Sequence, residues 1–312
     1  MAHSGFSRSD LAQAVDQARL SPYLADPRPP RPWLRLLGLI GLSAAFLLAA
    51  ALLLGVALAL ASGLIGFDAG LLQDSVPEGP ARLEGEKAFM AVLAISLGVM
   101  ALSILLAALI VYRRPARSFL WPAGGFSLGK LWLGFAVMGL IAAISLPLYS
   151  LVDPSGPAPL LNDAYSVQSR IGYAAAAAVA LLAAAAAEEV VFRGVLLRVL
   201  GGFTGRVIII CLINALLFSA IHLDPDPVAF VARALSGLVW TWAALRLGGI
   251  EFAIGAHWAN NLAIALLIEP LSTAAMPGQA MPPAALLFEG VTVLLVFVFI
   301  ERLARRGRLN PP

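Results

Sequence analysis

The stretch Ala183-Ala-Ala-Ala-Ala-Glu188-Glu189-Val-Val-Phe-Arg193-Gly194 places two adjacent carboxylates and an arginine inside a long apolar run. A charged side chain at the centre of a membrane-embedded helix costs about 2.5–3.5 kcal/mol on insertion scales. Three such charges facing lipid would cost on the order of 7–10 kcal/mol by the same scale. Stability does not favour that arrangement, so the three residues need polar partners, and we expect the rest of the chain to supply them.

The composition indicates an integral membrane protein. Of the 312 residues, 60% are hydrophobic and 12% are charged, whereas soluble globular proteins carry roughly 25% charged residues. The net charge of +3 does not point to nucleic acid as a partner, because the basic residues lie mostly at the ends of apolar segments. The single cysteine, Cys211, lies in an apolar run and is expected to be a small buried hydrophobic residue.

Eight apolar segments are candidates to span a bilayer as helices. They cover approximately Leu36–Leu64, Ala88–Tyr112, Leu131–Val152, Gly172–Leu200, Val207–His222, Val228–Leu247, Phe252–Ile268 and Ala284–Ile300. We therefore predict an all-α membrane protein, a bundle of about eight transmembrane helices in which residues 34–300 form one domain. Residues 1–33 are expected to be a polar cytoplasmic tail, and residues 301–312 a basic cytoplasmic tail. A short amphipathic helix at residues 7–20 is an alternative to a solvated leader, which we favour.

Basic residues alternate between the two ends of these segments. They concentrate in the N-terminal tail, in the second-to-third and fourth-to-fifth connections and at the C-terminus, whereas the first and third connections are acidic on balance. Cytoplasmic loops of membrane proteins carry an excess of lysine and arginine. The alternation therefore predicts that both termini face the cytoplasm.

The two adjacent glutamates are predicted to differ in their partners. On a helix, Glu189 and Arg193 are four residues apart and share a face, which favours an ion pair. Glu188 is rotated by about 100 degrees from that face and has no partner close in sequence. An embedded carboxylate without a fixed counter-charge is suited to act as a general base or acid. The alternative is a purely structural clamp between helices. Glu289, near the predicted outer end of the eighth segment, is expected to lie close to water.

Two histidines lie at or within other apolar segments. His222 follows Asn214 and Phe218 at intervals of four residues, so the three form one stripe on a helix. His257 and Asn261 are also four residues apart and share a helix face. Two histidines, an asparagine and an unpaired carboxylate on three helices of one bundle form a candidate catalytic site.

Two chemistries are open for these residues. Glu188, His222 and His257 are a ligand set that zinc accepts, with a position left open for water. Without a metal, Glu188 and His222 would polarise a water molecule. His257 and Asn261 would then hydrogen-bond the developing oxyanion. Either chemistry is an attack of water on an acyl group. Serine and zincin-type chemistry are not indicated, because the sequence has neither a nucleophile-elbow motif nor a His-Glu-x-x-His motif.

Three motifs in this order resemble those of the CAAX prenyl protease type II and bacteriocin-processing (CPBP, or Abi) intramembrane protease family. The motifs are Glu188-Glu189-x-x-x-Arg193, Phe218-x-x-x-His222 and His257-x-x-x-Asn261. They lie within a core of about residues 174–268, and the outer helices resemble the family only in hydropathy. Each motif alone is a weak signal, but three in order that use both intramembrane histidines are a strong one.

The resemblance implies an intramembrane endopeptidase, a hydrolase that cuts a membrane-anchored or lipidated substrate within the lipid bilayer. It implies that Glu188 and His222 activate water and that the third motif stabilises the oxyanion. Glu189 and Arg193 would be supporting residues. Family members are labelled both metal-dependent and metal-free, so a divalent metal such as zinc is an open cofactor. The resemblance also implies the cell membrane of a prokaryote, with the active site opening to the cytoplasmic side.

Two other functions are compatible with these residues. A proton-coupled transporter would use Glu188 and the histidines as a relay, but its expected sign, an inverted repeat with broken helices, is not seen in the sequence. A catalytically silent membrane scaffold or immunity factor would keep the motifs for packing.

If the fifth segment crosses the membrane from Val207, His222 would lie roughly 10–15 Å from the level of Glu188 and His257. A tilted fifth helix or a hairpin that dips into the membrane would remove this difference.

Overall fold

A computed structural model describes residues 8–25, 28–65, 82–149, 151, 158–274 and 280–309, and within these ranges the chain forms helices and no strands. The helices are α1 (Arg8–Arg19), α2 (Pro32–Ile65), α3 (Arg82–Tyr112), α4 (Ala116–Leu120), α5 (Leu128–Tyr149), α6 (Val167–Glu189), α7 (Leu197–Phe203), α8 (Val207–Ala220), α9 (Pro227–Leu247), α10 (Glu251–Leu267), α11 (Leu271–Ala274) and α12 (Ala284–Leu309). A π-helical segment, Val190–Leu196, joins α6 to α7 without a break. The predicted all-α class is confirmed.

Each of the eight predicted apolar segments corresponds to a helix, namely α2, α3, α5, α6 with its continuation, α8, α9, α10 and α12. Within the described ranges, six helices are long and apolar enough to cross a membrane. The two exceptions are α8, with 14 residues, and α10, with 17 residues. The chain is therefore a multi-pass membrane protein, and the cytoplasmic position of its termini stays a prediction from the basic residues. α12 continues beyond Ile300, so the predicted basic tail is helical as far as Leu309.

The helices divide into an outer set and a central one. α2 exposes large apolar side chains such as Leu52 and Leu53, as a lipid-facing helix does. In α10, by contrast, every residue from 251 to 259 is buried. α10 packs against α5, α6 and α9, so it is the central helix of the bundle. The alanine-rich α6 lies between α3 and α10, consistent with small residues allowing helices to approach closely in lipid.

Glycines bring the backbones of α5 and α10 into direct contact. A Cβ atom at Gly134 would lie 2.1 Å from the carbonyl oxygen of Phe252. A Cβ atom at Gly255 would lie 1.9 Å from the carbonyl oxygen of Leu131. No side chain fits at either position unless the helices move apart. Because Gly255 precedes His257 by two residues, this contact sets where α10 places its histidine.

The N-terminal segment is packed against the bundle, which differs from the solvated leader that we favoured. α1 contacts α8 and α9, and its Ala14 and Ala18 are buried. On its polar side, Asp10 forms an ion pair with Arg305 of α12, with 3.1 Å between nitrogen and oxygen. The polar composition suggested a solvated chain. The small alanines, however, let one face of α1 pack closely, and charged residues at the C-terminal end of the bundle pair with its other face.

Candidate active site

The helix that carries the glutamate pair changes from α- to π-helical geometry directly after it. The backbone N–H of Leu197 donates to the carbonyl oxygen of Phe192, five residues earlier. The same carbonyl accepts a hydrogen bond of 2.7 Å from Nδ2 of Asn214 in α8. Thr241 of α9 donates in turn to Oδ1 of Asn214 at 3.1 Å. Two neighbouring helices thus hold this segment through buried hydrogen bonds, and π-helical segments are frequent at functional sites.

Glu189 is the centre of a buried hydrogen-bonded cluster. Its Oε1 accepts from Nη1 of Arg193 at 3.0 Å, so the ion pair predicted from the spacing is present. The same oxygen lies 2.9 Å from Nδ1 of His257. Arg193 also donates through Nη2 to the carbonyl oxygen of Gly237 at 3.1 Å, and its guanidinium lies 4.4 Å from the ring centroid of Phe218. A fully buried ion pair persists only with such additional partners.

The contact between Glu189 and His257 fixes the orientation of the histidine ring. An ionised carboxylate can only accept a hydrogen bond, so Nδ1 of His257 carries the hydrogen and donates. The other ring nitrogen, Nε2, then lies toward Glu188. Sequence spacing did not predict this contact, because it joins α6 to α10 across 68 residues.

Glu188 has a different environment. Its residue is 8% exposed, and Oε2 lies 4.0 Å from Nε2 of His257. That distance is longer than a hydrogen bond. Within the described part of the chain, this buried oxygen has no hydrogen-bond partner. An unsatisfied buried polar group costs about 1–3 kcal/mol, and more when it is charged. Its presence in a folded protein therefore calls for an explanation outside stability.

Two aromatic rings hold the histidines in place. The ring of Trp240 in α9 stacks on His257 with 4.4 Å between centroids. Phe218 lies 5.9 Å from His257 and 5.3 Å from His222, so one phenyl ring contacts both histidines. Trp240 was missed by the sequence reasoning. The available signal was an aromatic residue in the segment between the second and third motifs.

His222 lies just beyond the end of α8 and close to the other site residues. Its Nδ1 is 2.9 Å from the carbonyl oxygen of Phe218, which leaves Nε2 available. Both histidines contact the ring of Phe218, so the difference in level expected for a crossing fifth segment does not keep His222 out of the site. That expectation assumed a fifth helix that crosses the membrane. α8 has only 14 residues, or roughly 21 Å, and is too short to cross a hydrocarbon core of about 30 Å.

Asn261 lies one turn after His257 on α10. Its Oδ1 accepts a hydrogen bond of 3.3 Å from Nδ2 of Asn260. Its own Nδ2 makes no hydrogen bond to any residue that the structure describes. The structure thus brings the two glutamates, the arginine and both histidines into one cluster, whereas Asn261 shares a helix with His257 without a hydrogen bond to the others.

Within the described ranges, no group of three histidine, cysteine, aspartate or glutamate side chains is arranged to hold a metal ion. Binding of zinc by Glu188, His222 and His257 therefore stays a prediction. Cys211 is a buried free thiol, as expected. Glu289, for which nearby water was expected, accepts a hydrogen bond from Ser236 of α9.

Two comparisons with known proteins find a similarity to the segment that forms the site. Residues 170–263, which include all three motifs, match the family model of Rce1-like type II CAAX prenyl endopeptidases. The uncharacterized protein YyaK of Bacillus subtilis (strain 168) is 28% identical over 174 residues, which are 52% of this chain and 56% of that protein. The chain thus spans about half the length of this relative. No solved structure matches the chain. The segment that forms the site is therefore similar to the Rce1-like type II CAAX prenyl endopeptidases, in agreement with the resemblance that the three motifs indicated.

Proposed function

We propose that the protein is an intramembrane endopeptidase that hydrolyses a peptide bond in a membrane-anchored or lipidated substrate. The observation that carries this proposal is the buried Glu188 carboxylate, which has an oxygen without a hydrogen bond and lies beside His257. The match of the surrounding segment to a protease family supports it.

Glu188 acts as the general base. Its Oε2 accepts one proton of a water molecule, while Nε2 of His222 accepts a hydrogen bond from the other. His222 keeps its own hydrogen on Nδ1, where the carbonyl of Phe218 accepts it. Positioned general-base catalysis contributes on the order of 10²–10⁴ to a rate. The water oxygen then forms a bond to the carbonyl carbon of the substrate.

The third motif stabilises the oxyanion that this attack creates. Nδ2 of Asn261 donates one hydrogen bond, and Nε2–H of a protonated His257 donates another. A protonated His257 also balances the formal charges of the cluster, because Glu188 and Glu189 then face two cations, His257 and Arg193. A net charge of zero lowers the cost of burying the four groups. Loss of one oxyanion donor costs on the order of 10²–10³ in rate.

Glu189, Arg193 and Trp240 act through His257 and are positioning residues. Glu189 sets the ring orientation through Nδ1, and Arg193 holds the carboxylate of Glu189 in place. Trp240 prevents rotation of the ring by stacking on its face. A general acid or oxyanion donor needs this fixed geometry, because small displacements lose much of the rate.

Collapse of the tetrahedral intermediate completes the reaction. The C–N bond breaks, and Glu188 returns its proton to the leaving amine. The products are a new carboxyl terminus and a new amino terminus, and the enzyme regains its starting protonation state. A zinc ion held by Glu188, His222 and His257 would instead supply a more acidic water molecule, and metal analysis of the purified protein tests that alternative.

The proposal is tested by comparing peptide termini in membranes that contain the protein or its Glu188→Gln variant. Both proteins are expressed at equal levels in a cell membrane, and new termini are identified by mass spectrometry. We expect termini that appear only with the unmodified protein and that lie next to a membrane anchor or a lipidated residue. Identical sets of termini would contradict proteolysis and would favour the scaffold function.

A further inference from the structure

Asn214 is a polar residue that is fully buried within the apolar helix α8. It lies one turn before Phe218 and two turns before His222, on the same stripe of the helix. Its side chain is 0% exposed. Burial of an amide is unfavourable unless the amide is hydrogen-bonded. None of the three motifs includes Asn214, so its role has to be found in its contacts.

Both ends of the Asn214 amide form hydrogen bonds to other helices. Nδ2 donates to the carbonyl oxygen of Phe192 at 2.7 Å, and Oδ1 lies 3.1 Å from the hydroxyl of Thr241. A carbonyl oxygen only accepts hydrogen bonds, so the nitrogen end must face Phe192 and the amide has one orientation. The same carbonyl accepts from the backbone N–H of Leu197, five residues later. Asn214 therefore supplies a second donor to the carbonyl that closes the π-helical turn.

The neighbouring residue of that turn, Arg193, is held by the same part of α9. Its Nη2 donates to the carbonyl oxygen of Gly237 at 3.1 Å, and the hydroxyl of Thr241 lies 2.7 Å from that oxygen. Thr241 thus contacts both the amide of Asn214 and the carbonyl that binds the arginine. One network of buried groups fixes the backbone at Phe192 and the side chain of Arg193.

The network is held firmly because α8 and α9 pack closely beside it. A Cβ atom at Gly237 would lie 3.1 Å from Cα of Ala215, the residue that follows Asn214. It would also lie 3.1 Å from Cδ1 of Phe218. Small residues allow helices to approach in this way. The amide of Asn214 therefore cannot shift along α9 unless the two helices separate.

We propose that Asn214 is a positioning residue of the candidate active site, which fixes the π-helical segment so that Arg193 reaches Glu189. The inference rests on the proposed protease function. Nη1 of Arg193 lies 3.0 Å from Oε1 of Glu189, and that oxygen lies 2.9 Å from Nδ1 of His257. Asn214 acts through these contacts and is not a catalytic residue. Without its amide, the Phe192 carbonyl keeps only its backbone bond, and the segment can return to α-helical geometry, which turns Arg193 away from Glu189.

The test compares kcat and KM of Asn214→Leu with those of the unmodified protein, using a quenched fluorescent lipidated peptide in proteoliposomes. We expect kcat per folded molecule to fall on the order of 10–10²-fold with KM unchanged, because misplaced groups lose rate and not substrate binding. Tyr173→Phe is the matched control, since it removes a buried hydrogen bond of 2.8 Å from α6 to the carbonyl of Ala265 in α10. It should lower the melting temperature comparably and keep kcat. An unchanged kcat in Asn214→Leu, or an equal loss in Tyr173→Phe, overturns the proposal.

A second pair of variants tests the network if Asn214→Leu does not fold. Thr241→Val removes the hydroxyl that contacts the amide and should lower kcat on the order of tenfold. Thr241→Ser keeps the hydroxyl and should retain kcat. Equal kcat values for the two variants overturn the proposal.

A crystal structure of Asn214→Leu, or of Thr241→Val in its place, separates this inference from the proposed function. Absence of cleavage by the unmodified protein contradicts the protease function alone. Loss of the contact between Glu189 and His257 in the variant structure supports the positioning role even then. A variant structure that keeps the π-helical turn and the contacts of Arg193 and His257 with Glu189 overturns it.

Discussion

Two buried charged clusters in this protein differ in how completely their hydrogen bonds are satisfied. Near the C-terminal end of the bundle, Oε1 of Glu301 accepts from Arg246 at 2.5 Å and from Trp242 at 2.9 Å, and Oε2 accepts from Arg246 at 2.8 Å. In the candidate site, one oxygen each of Glu188 and Glu189 has no partner among the residues that the structure describes. We infer that the first cluster holds helices together, whereas the second is arranged for chemistry.

The difference separates stability from function in physical terms. A buried carboxylate whose oxygens are both bonded stabilises the fold as long as both partners remain. A buried carboxylate oxygen without a partner is unfavourable in the resting protein and can bind water or a proton during a reaction. Variants of the Glu301 cluster should therefore lower stability and leave cleavage unchanged. Variants of the candidate site should lower cleavage with little change in stability.

Apart from substitution of Glu188, the largest effect on cleavage is expected for His222→Ala. Removal of the ring that holds the attacking water should lower the rate of cleavage by on the order of 10²–10⁴. The melting temperature should change little, because His222 is half-buried and its hydrogen bond joins it to the end of its own helix. The rate is measured with a quenched fluorescent lipidated peptide in proteoliposomes. Ile221→Ala, at an exposed neighbouring position, is the control and should cleave normally.

A second prediction concerns the satisfied cluster. Glu301→Ala leaves the buried guanidinium of Arg246 without its carboxylate and should destabilise the protein by about 3–5 kcal/mol. Cleavage per folded molecule should stay unchanged. The free energy of unfolding is measured by denaturant titration in detergent. Arg246→Ala should cost a similar amount, and the double variant should cost much less than the sum. Full additivity would show that the pair does not act as one unit.

An intermediate effect on stability and cleavage is expected for a substitution at the contact between α5 and α10, the helix that carries His257. Gly134→Ala would place a Cβ atom 2.1 Å from a backbone oxygen of α10, so the helices must separate at a cost of about 1–3 kcal/mol. The displacement of His257 should also lower cleavage by on the order of tenfold or more. Gly139→Ala on the same helix meets nothing within 4 Å and is the control. Equal stability and activity of the two variants would show that the close contact does not position the site.

The smallest effect is expected for the exposed carboxylate of Asp226 and concerns the pH dependence of stability. Asp226 caps α9, and hydrogen bonds from the backbone N–H groups of Met281, Ala229 and Val228 lower its pKa. A lowered pKa in the folded state stabilises the protein above the unfolded pKa of about 4, and this contribution is lost as the pH falls through the folded-state pKa. Between pH 7 and pH 3, the unmodified protein should therefore lose more stability than Asp226→Asn. The check is the free energy of unfolding of both proteins as a function of pH. Parallel curves would contradict a lowered pKa of Asp226.

Hydropathy and residue spacing predicted the helices and the ion pair of the candidate site. Hydropathy located the helices, because each span must satisfy its own backbone in lipid. The four-residue spacing predicted the ion pair between Glu189 and Arg193, since such pairs depend only on helix geometry. The same geometry separated Glu188 from that pair. These predictions need no knowledge of neighbouring helices.

Contacts between helices were not predictable in this way. The π-helical segment accepts a hydrogen bond from Asn214 in another helix, and no local pattern reveals this contact. The bond between Glu189 and His257 joins distant parts of the chain. The level of His222 was left open, because hydropathy does not show that α8 ends before it crosses the bilayer. The packing of α1 depends on partners near the opposite end of the chain, such as Arg305.

The most direct test of the central claim is the rate of peptide cleavage by Glu188→Gln, measured per folded molecule against the unmodified protein. The substitution keeps the shape of the side chain and removes its ability to take a proton from water. We predict no detectable cleavage by a variant that still folds, because glutamine cannot take the proton of the attacking water molecule. Cleavage at the rate of the unmodified protein would contradict the assignment of Glu188 as the general base.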